Sequence, residues 1–452
     1  MTQKSAPSLS LFKITWPIFI EVLLYMLMGN ADTLMLSQYS DDSVAAVGVA
    51  NQVLNITIVM FGFVAAGTAI LVAQHMGAKE EPTAKEVAVV SLIANAAFGL
   101  FISLFVFFLS KPILGAMGIN HDLMPRAEAF LSVVGIFSFV QAIIMTVSAI
   151  LRSYGYTRDT MFVTILMNIL NVTGNYFVIF GPWDIPGEAG VAWSTSISRA
   201  IGLAIVFSLL FKRTGNMFRA VSLTPFPKHH LRNLLRIGVP AAGENLSYNA
   251  SQVVITFFIT MLGTQALTTK VYAQNLTMFI YLFGLAIGQG QQIIVGQLVG
   301  AGRYKEAYHS CLRGLKMSIL VAACMAGVFS LFRNSLFSLF TDNASIIQTG
   351  ATLVLLTMIL EPGRAFNLVV ISALRAAGDV KFPVYMGILS MWGVSIPLAY
   401  LFGIHFHLGL AGIWIGFIAD EWLRGLLMLW RWRSRVWETK SFVAPKSLSE
   451  SV

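Results

Sequence analysis

The chain alternates between long apolar runs and short polar connections. Twelve of the runs approach or exceed the roughly 20 residues that a helix needs to cross the hydrocarbon core of a bilayer. Their predicted bounds are 14–36, 44–74, 87–110, 127–150, 160–182, 189–211, 237–262, 267–298, 310–332, 346–374, 382–404 and 408–430. The pattern therefore predicts an all-α membrane protein with twelve transmembrane helices.

The composition supports a chain whose main solvent is lipid. Of its 452 residues, 56% are hydrophobic and only 11% are charged. A soluble domain carries about 25% charged residues, because its surface must be wetted. So few charges could not cover a water-facing surface, and a soluble fold is excluded.

The basic residues are distributed unevenly between the two ends of the predicted helices. If the N-terminus lies inside, 23 of the 30 Lys and Arg fall in inner segments or at the inner ends of spans, four in outer segments or at outer ends, and three deeper within spans. This asymmetry predicts a multi-pass protein of the inner (plasma) membrane with both termini in the cytoplasm. Since the basic residues then face lipid headgroups, the net charge of +9 does not indicate nucleic-acid binding.

The two halves of the chain repeat each other. One constant shift, here called the repeat register, places Glu244 on Glu21 and "LRAAG" at 374–378 on "LRSYG" at 151–155. Each half holds six predicted helices, and an even number of spans keeps the two repeats in the same orientation. Parallel repeats of this kind are typical of secondary transporters.

The repeat and the polar connections predict four regions. These are an N-terminal six-helix lobe at 1–211, a basic cytoplasmic linker at 212–236, a C-terminal six-helix lobe at 237–432 and a cytoplasmic tail at 433–452.

Acidic residues within predicted spans are candidates for chemistry, because a carboxylate in hydrocarbon is expensive. Asp32 is the strongest of them, flanked by Asn30 and Thr33. Burial favours the protonated form of a carboxylate, so such a group is suited to proton binding. The alternative is a carboxylate that only caps neighbouring polar groups. The other acids away from the ends of spans are Glu21, Glu244, Glu361, Asp420 and Glu421.

A polar stripe marks the predicted helix at 160–182. Thr164, Asn168, Asn171 and Asn175 are spaced by four, three and four residues, which places them on one helical face. A polar face toward lipid would be costly, so we expect it to face the interior of its lobe. It could serve an ion site, or only hydrogen bonding between packed helices.

Several strings together resemble the MATE (multidrug and toxic compound extrusion) family, with features of its DinF-like branch. They are "NADTLMLSQ" at 30–38, "VAQHMGA" at 72–78, "LRSYGYTRD" at 151–159, "GEAGVAWSTSISRAIG" at 187–202 and "ISALRAAGDVKFP" at 371–383. The resemblance implies two six-helix lobes around a central cleft. It also implies export of amphipathic, often cationic, compounds in exchange for H⁺ or Na⁺.

The same resemblance implies an ion-coupling site at Asp32, Asn171, Asn175 and Thr195. Asn175 stands where the family pattern has a second Asp. The site then has one carboxylate instead of two, with oxygens suited to a hard cation. It is compatible with one H⁺ or one Na⁺, and the sequence does not decide between them.

Four further residues are possible coupling or gating residues: Glu21, Glu244, Glu361 and Asn168. A structural role is the alternative for the glutamates. Glu21 and Glu244 each follow a helix proline by four residues, and Glu361 could simply pair with Arg364 one turn away.

No phosphate-binding loop or metalloprotease motif occurs in the sequence. We therefore expect a transporter and not an enzyme, with no cofactor beyond the coupling H⁺ or Na⁺. The expected partners are a small amphipathic or cationic substrate and the lipid bilayer, with no nucleic acid and a monomeric state. A lipid-linked oligosaccharide flippase of related fold is one alternative, and a non-transporting membrane receptor is another.

Overall fold

The computed structural model describes residues 10–182, 186–221 and 226–443, and these residues form helices and short connections without a β-strand. Residues 222–225 of the predicted linker and 444–452 of the predicted tail lie outside the described residues, as do residues 1–9 and 183–185.

The first half contains seven long helices and one short one. They are α1 (Leu11–Leu36), α2 (Asp41–Gly77), α3 (Glu81–Ala116), α4 (Met124–Ile136), α5 (Ser138–Ser153), α6 (Thr157–Phe180), α7 (Gly187–Thr214) and α8 (Met217–Ala220).

The second half follows the same plan. Its helices are α9 (Lys228–Met261), α10 (Thr264–Gly300), α11 (Tyr304–Leu331), α12 (Arg333–Ser338), α13 (Ala344–Ala376), α14 (Lys381–Ser390), α15 (Ile396–Tyr400) and α16 (Gly409–Arg433). π-helical turns at Met391–Ser395 and Leu401–His405 make α14 and α15 parts of one continuous segment, and a 3₁₀ turn at Val436–Thr439 follows α16.

These helices give twelve spans. In the described part of the chain, nine helical segments are long and apolar enough to cross a membrane, and the pair α4 and α5, bent by 43°, makes a tenth. The more polar helices α9 and α16 have 34 and 25 residues, which is enough to span and completes the twelve. The predicted helix count is confirmed, and the span predicted at 127–150 is bent at Phe137 between α4 and α5.

The backbone repeats along with the sequence. Left-handed residues end the second helix of each half, with φ of 60° at Lys79 and 69° at Gly302, which coincide in the repeat register. The turn after the fourth span of each half also contains a left-handed residue, with φ of 92° at Gly155 and 96° at Gly378. Only glycine adopts these last values without strain, which explains why both "LRxxG" strings end in Gly.

The chain divides into two compact units. One, here called the N-terminal lobe, comprises Ile20–Met76 and Glu80–Gly238. The other, here called the C-terminal lobe, comprises the chain from Val239 onward, Gly77–Lys79 and the described residues up to Phe19. Each has its own apolar core. Leu36, Phe61 and Phe130 belong to the core of the N-terminal lobe.

The C-terminal lobe has an apolar cluster around Ile255 and Trp414 and another around Val369 and Trp432. The second cluster includes Trp437, whose ring stacks on Trp432 with centroids 4.1 Å apart. Trp437 also donates a hydrogen bond from Nε1 to the Trp432 carbonyl, so the residues after α16 pack onto their own lobe.

Candidate functional site

The polar stripe of α6 is buried inside the N-terminal lobe. Asn171 and Asn175 have no exposed surface, and Thr164 is 2% exposed. Helix α7 approaches this face so closely that a Cβ on Gly174 would overlap Ser194 Oγ. Glycine therefore lets the two helices touch, and Ser194 Oγ donates a hydrogen bond to the Asn171 carbonyl at 3.0 Å.

Asp32 of α1 meets this stripe in the C-terminal half of its helix and is 6% exposed. Asn175 Nδ2 donates a hydrogen bond to Asp32 Oδ1 at 2.5 Å. Thr195 Oγ1 of α7 donates to Asp32 Oδ2 at 3.5 Å and accepts from Asn171 Nδ2 at 3.0 Å. The structure therefore brings together the four residues that the sequence grouped.

The two amide oxygens of this site have no partner among the described residues. Asn171 Oδ1 and Asn175 Oδ1 are both buried and accept no hydrogen bond. A buried polar atom without a partner costs about 1–3 kcal/mol and requires an explanation. These oxygens are free to accept from a donor or to contact a cation, whereas the amide N–H groups already point at Asp32 and Thr195.

Asn168 does not reach this site. Its Nδ2 donates a hydrogen bond to the Thr164 carbonyl of its own helix at 2.9 Å, and the side chain is half-buried. The amide is thus used within α6, one turn before Asn171.

Glu21 forms a separate cluster in the N-terminal lobe. Its Oε1 accepts from Arg152 at 2.8 Å and its Oε2 accepts from the Thr160 hydroxyl at 2.8 Å. The carboxylate is therefore held by α5 and α6, and it makes no hydrogen bond to Asp32. Both acceptor oxygens are satisfied, as a structural ion pair requires.

Glu244 forms the equivalent pair in the C-terminal lobe. It accepts a hydrogen bond from Arg375, and the repeat register places this pair on Glu21 and Arg152. The position of Thr160 is taken by Pro383, which has no hydroxyl to donate. Sequence reasoning missed both arginines as partners, although "LRSYG" and "LRAAG" repeat in the same register as the two glutamates.

The remaining intramembrane acids form one network in the C-terminal lobe. Glu361 pairs with Arg364 at 2.7 Å, and Glu421 accepts from Asn367 Nδ2 at 2.9 Å.

Arg424 then bridges two acids of its own helix. Its NH2 lies 2.9 Å from Asp420 and 3.0 Å from Glu421. The pair that the sequence suggested between Glu361 and Arg364 is therefore present, and none of these acids contacts the site at Asp32 among the described residues.

The family model described as MatE matches residues 17–177 and again 240–401, so each half of the chain matches it once. The start points, at Pro17 and Pro240, reproduce the repeat register found in the sequence and in the backbone.

Relatives match along almost the whole chain. The "Uncharacterized transporter YisQ" of Bacillus subtilis (strain 168) is 57% identical, with 95% of this chain and 95% of the relative covered. The "Probable multidrug resistance protein NorM" of Thermotoga maritima is 27% identical, with 97% and 95% covered.

Solved structures show the same fold at low sequence identity. A MATE protein crystallised in a bent conformation matches with a TM-score of 0.88 at 20% identity, covering 97% of this chain and 100% of that chain. An outward-facing multidrug resistance MATE transporter matches with a TM-score of 0.85 at 21% identity, covering 96% and 98%. With twelve spans, a repeated six-helix plan and a family model matched in each half, the chain belongs to the MATE family of multi-pass membrane transporters.

Proposed function

We propose that the chain is a cation-coupled antiporter that exports amphipathic, often cationic, organic compounds, and that Asp32 is the carboxylate that binds the coupling ion. The observation that carries the proposal is the setting of Asp32. It is a nearly buried acid in a membrane-spanning helix, and its hydrogen-bond partners Asn175 and Thr195 are both neutral.

The other intramembrane acids are less suited to this role. Glu21, Glu244, Glu361 and Asp420 each hold a guanidinium within ion-pair distance, so their charge is already compensated. Asp32 has no cationic group within ion-pair distance among the described residues. Binding a cation there changes the local charge balance most, which is what a coupling site requires.

The hydrogen-bond pattern supports H⁺ as the coupling ion. A hard cation such as Na⁺ needs several oxygen ligands converging on one point. Here the amide N–H groups of Asn171 and Asn175 donate to Thr195 and Asp32, so the oxygens that meet at the carboxylate are those of Asp32 and Thr195. The two unpartnered amide oxygens would have to turn toward Asp32 to complete a Na⁺ shell. A proton needs only the carboxylate.

Protonation would act on the packing of α1. The bond from Asn175 Nδ2 to Asp32 Oδ1 is charge-assisted while the carboxylate is ionised, and such bonds are about twice as strong as neutral ones. A proton on Asp32 weakens it and loosens the link between α1 and α6. The N-terminal lobe then has two packings whose balance depends on the ion, and substrate release would accompany the loaded one.

The substrate class and the location follow from the family and from charge. The relative from Thermotoga maritima is named for multidrug resistance, which supports a small-molecule drug substrate here. The excess of Lys and Arg in the inner segments supports a plasma-membrane location with both termini in the cytoplasm. A monomer suffices for this scheme, because the site lies within a single lobe.

The test is transport in proteoliposomes that hold the full chain, with ethidium as a fluorescent cationic probe. A proton gradient and a sodium gradient are applied separately, to the unchanged protein and to Asp32→Asn. We expect the proton gradient alone to drive ethidium movement, and Asp32→Asn to abolish it.

Asp41→Asn is the matched control, because it removes an exposed carboxylate from the same lobe at the start of α2. It should transport like the unchanged protein. Undiminished gradient-driven transport in Asp32→Asn would remove Asp32 from the mechanism, and transport driven only by sodium would replace H⁺ by Na⁺.

A further inference from the structure

Arg199 is a guanidinium in the membrane-spanning part of α7 that no contact explains. Within the described residues it forms no hydrogen bond and no ion pair, and its Nε is buried without a partner. The other intramembrane arginines differ, since Arg364 and Arg424 each contact a carboxylate. The Arg199 side chain is half-buried, and a guanidinium without a counter-charge in hydrocarbon costs several kcal/mol, so such residues usually mark function.

The position of Arg199 places it beside the proposed ion site. It follows Thr195 by four residues, so both side chains lie on the same face of α7. Its electrostatic neighbours are Asp32 and Tyr25, both of α1. Seen from Asp32, the surrounding groups are the neutral Asn171 and Asn175 of α6 and, on α7, Thr195 and Arg199.

Arg199 is therefore the one charged group that acts on Asp32 among the described residues. An ionised Asp32 and a protonated Arg199 compensate each other without touching. Each removes part of the cost of burying the other, because Coulomb attraction is strong where water is excluded.

From this arrangement we infer that Arg199 is the resident counter-charge of Asp32 and sets how strongly the coupling ion binds there. The inference rests on the proposed function, since it takes Asp32 as the ion-binding carboxylate. Arg199 is in this sense a positioning residue: it acts on the ion through Asp32 and does not itself bind it.

Ion binding leaves Arg199 uncompensated, and the surroundings of Tyr25 offer it a second partner. Tyr25, the other electrostatic neighbour of Arg199, lies beside Gln141 and Thr164. Gln141 Oε1 is a buried acceptor that no described residue uses. A guanidinium released by a neutral Asp32 can therefore turn toward this amide oxygen. Loading of the ion would then change contacts of α7 as well as of α1.

The experiment measures protonation of Asp32 directly and does not depend on transport. The full chain is purified in lipid nanodiscs, and the infrared absorption of protonated carboxyl groups is followed against pH. Subtracting the spectra of Asp32→Asn isolates the titration of this one residue.

Removing the positive charge with Arg199→Gln strengthens proton binding at Asp32 by about tenfold. The titration midpoint should therefore move up by about one pH unit. Arg199→Lys keeps the charge and should titrate close to the unchanged protein. Arg126→Gln is the control, because it removes a guanidinium of the same lobe that bonds only Ser40 and Ser43.

An unshifted midpoint in Arg199→Gln overturns the inference, and so does a shift in Arg199→Lys as large as in Arg199→Gln. If Arg199→Gln does not fold, the double variant with Asp32→Asn should fold again, since neither charge is then left alone. A double variant as unfolded as the single one also overturns it. Failure of the transport proposal is seen separately, as ion-driven ethidium movement that survives Asp32→Asn.

Discussion

The two halves of the chain carry polar and apolar side chains, respectively, at equivalent positions of the same repeated backbone. In the repeat register Asp32 falls on Ile255, and Asn171 falls on Val394. With the one-residue slip that aligns the two glycines opening α7 and α16, Thr195 falls on Phe417. Ile255 has no exposed surface and packs in an apolar cluster with Phe417. One half thus carries a polar site where the other carries ordinary core.

The glutamate pairs behave differently, since both halves keep them. Glu21 with Arg152 and Glu244 with Arg375 occupy equivalent positions and tie the first span of each half to the end of the fourth. An ion pair that is present in both halves is expected to stabilise each lobe. A polar group present in only one half, such as Asp32, is more informative about function.

The largest expected effect comes from moving the acid into the second half. Ile255→Asp places a carboxylate in the apolar cluster of the C-terminal lobe, without the amides that receive Asp32. We expect a loss of about 5 kcal/mol in the free energy of unfolding, from the uncompensated charge and the lost packing. Ile255→Val is the control, at about 1 kcal/mol. Equal stability of the two variants in detergent unfolding would show that the halves are chemically interchangeable here.

Breaking the duplicated pair comes next. Arg152→Met leaves Glu21 buried without its guanidinium, and should cost about 3 kcal/mol in the free energy of unfolding. Arg375→Met should cost less, because the side chain of Glu244 is 14% exposed and that of Glu21 only 3%. Thermal unfolding of the two variants side by side measures the difference. A larger loss for Arg375→Met would contradict the ranking.

A smaller loss of stability is expected from removing the Thr160 hydroxyl, which the second half lacks. Thr160→Val removes one of the two hydrogen bonds to Glu21 and should destabilise the protein by about 1.5 kcal/mol. Thr68→Val serves as the control, since that hydroxyl only bonds the Val64 carbonyl of its own helix. If both variants unfold at the same temperature, Thr160 contributes nothing specific to Glu21.

The effect that is smallest at neutral pH comes from His230 of α9, which lies beside His75 at the end of α2. His230, before the predicted span at 237–262, is 3% exposed. Burial, helped by His229 and His75, lowers its pKa to about 4 although Glu86 opposes the shift. In the second half the position of His75 is Leu298, so no equivalent group exists there.

The direction in which stability changes with pH follows from where His230 binds its proton in each state. The folded state takes up the His230 proton only near pH 4, and the unfolded state near the ordinary value of 6.5. Stability from the neutral imidazole is present above pH 6.5 and is lost as the pH falls toward 4, by at most about 1.4 kcal/mol per pH unit. His230→Leu should flatten this part of the melting-temperature profile against pH. A profile that keeps its slope would assign the effect to other groups.

Much of this architecture could be predicted from the sequence because lipid imposes a simple rule on it. Every backbone group in hydrocarbon must bond within a helix, so length and polarity alone locate the twelve spans. The grouping of Asp32 with Asn171, Asn175 and Thr195 followed from helical periodicity together with the family resemblance. Periodicity shows which face of a helix is polar, and the resemblance supplied the neighbouring helices.

What sequence reasoning missed depends on contacts between distant segments. The arginine partners of Glu21 and Glu244 lie 131 residues further along the chain, and only packing brings them together. The bend at Phe137 also escaped prediction, because the run at 127–150 has the length of a single span and contains no proline. The surroundings of Arg199 could not be assigned either, since its electrostatic partners sit on another helix.

The stacked tryptophans at the end of α16 and just after it, Trp432 and Trp437, have a practical consequence for work with this protein. Beyond Trp437 the chain runs back so closely that a Cβ on Gly378 would overlap the Lys440 carbonyl oxygen. The segment after the last span thus packs against the turn that follows α13. Truncation at Arg433 would expose the Trp432 ring and remove the contact between Lys440 and that turn. Affinity tags and fluorescent fusions are therefore best attached after Val443.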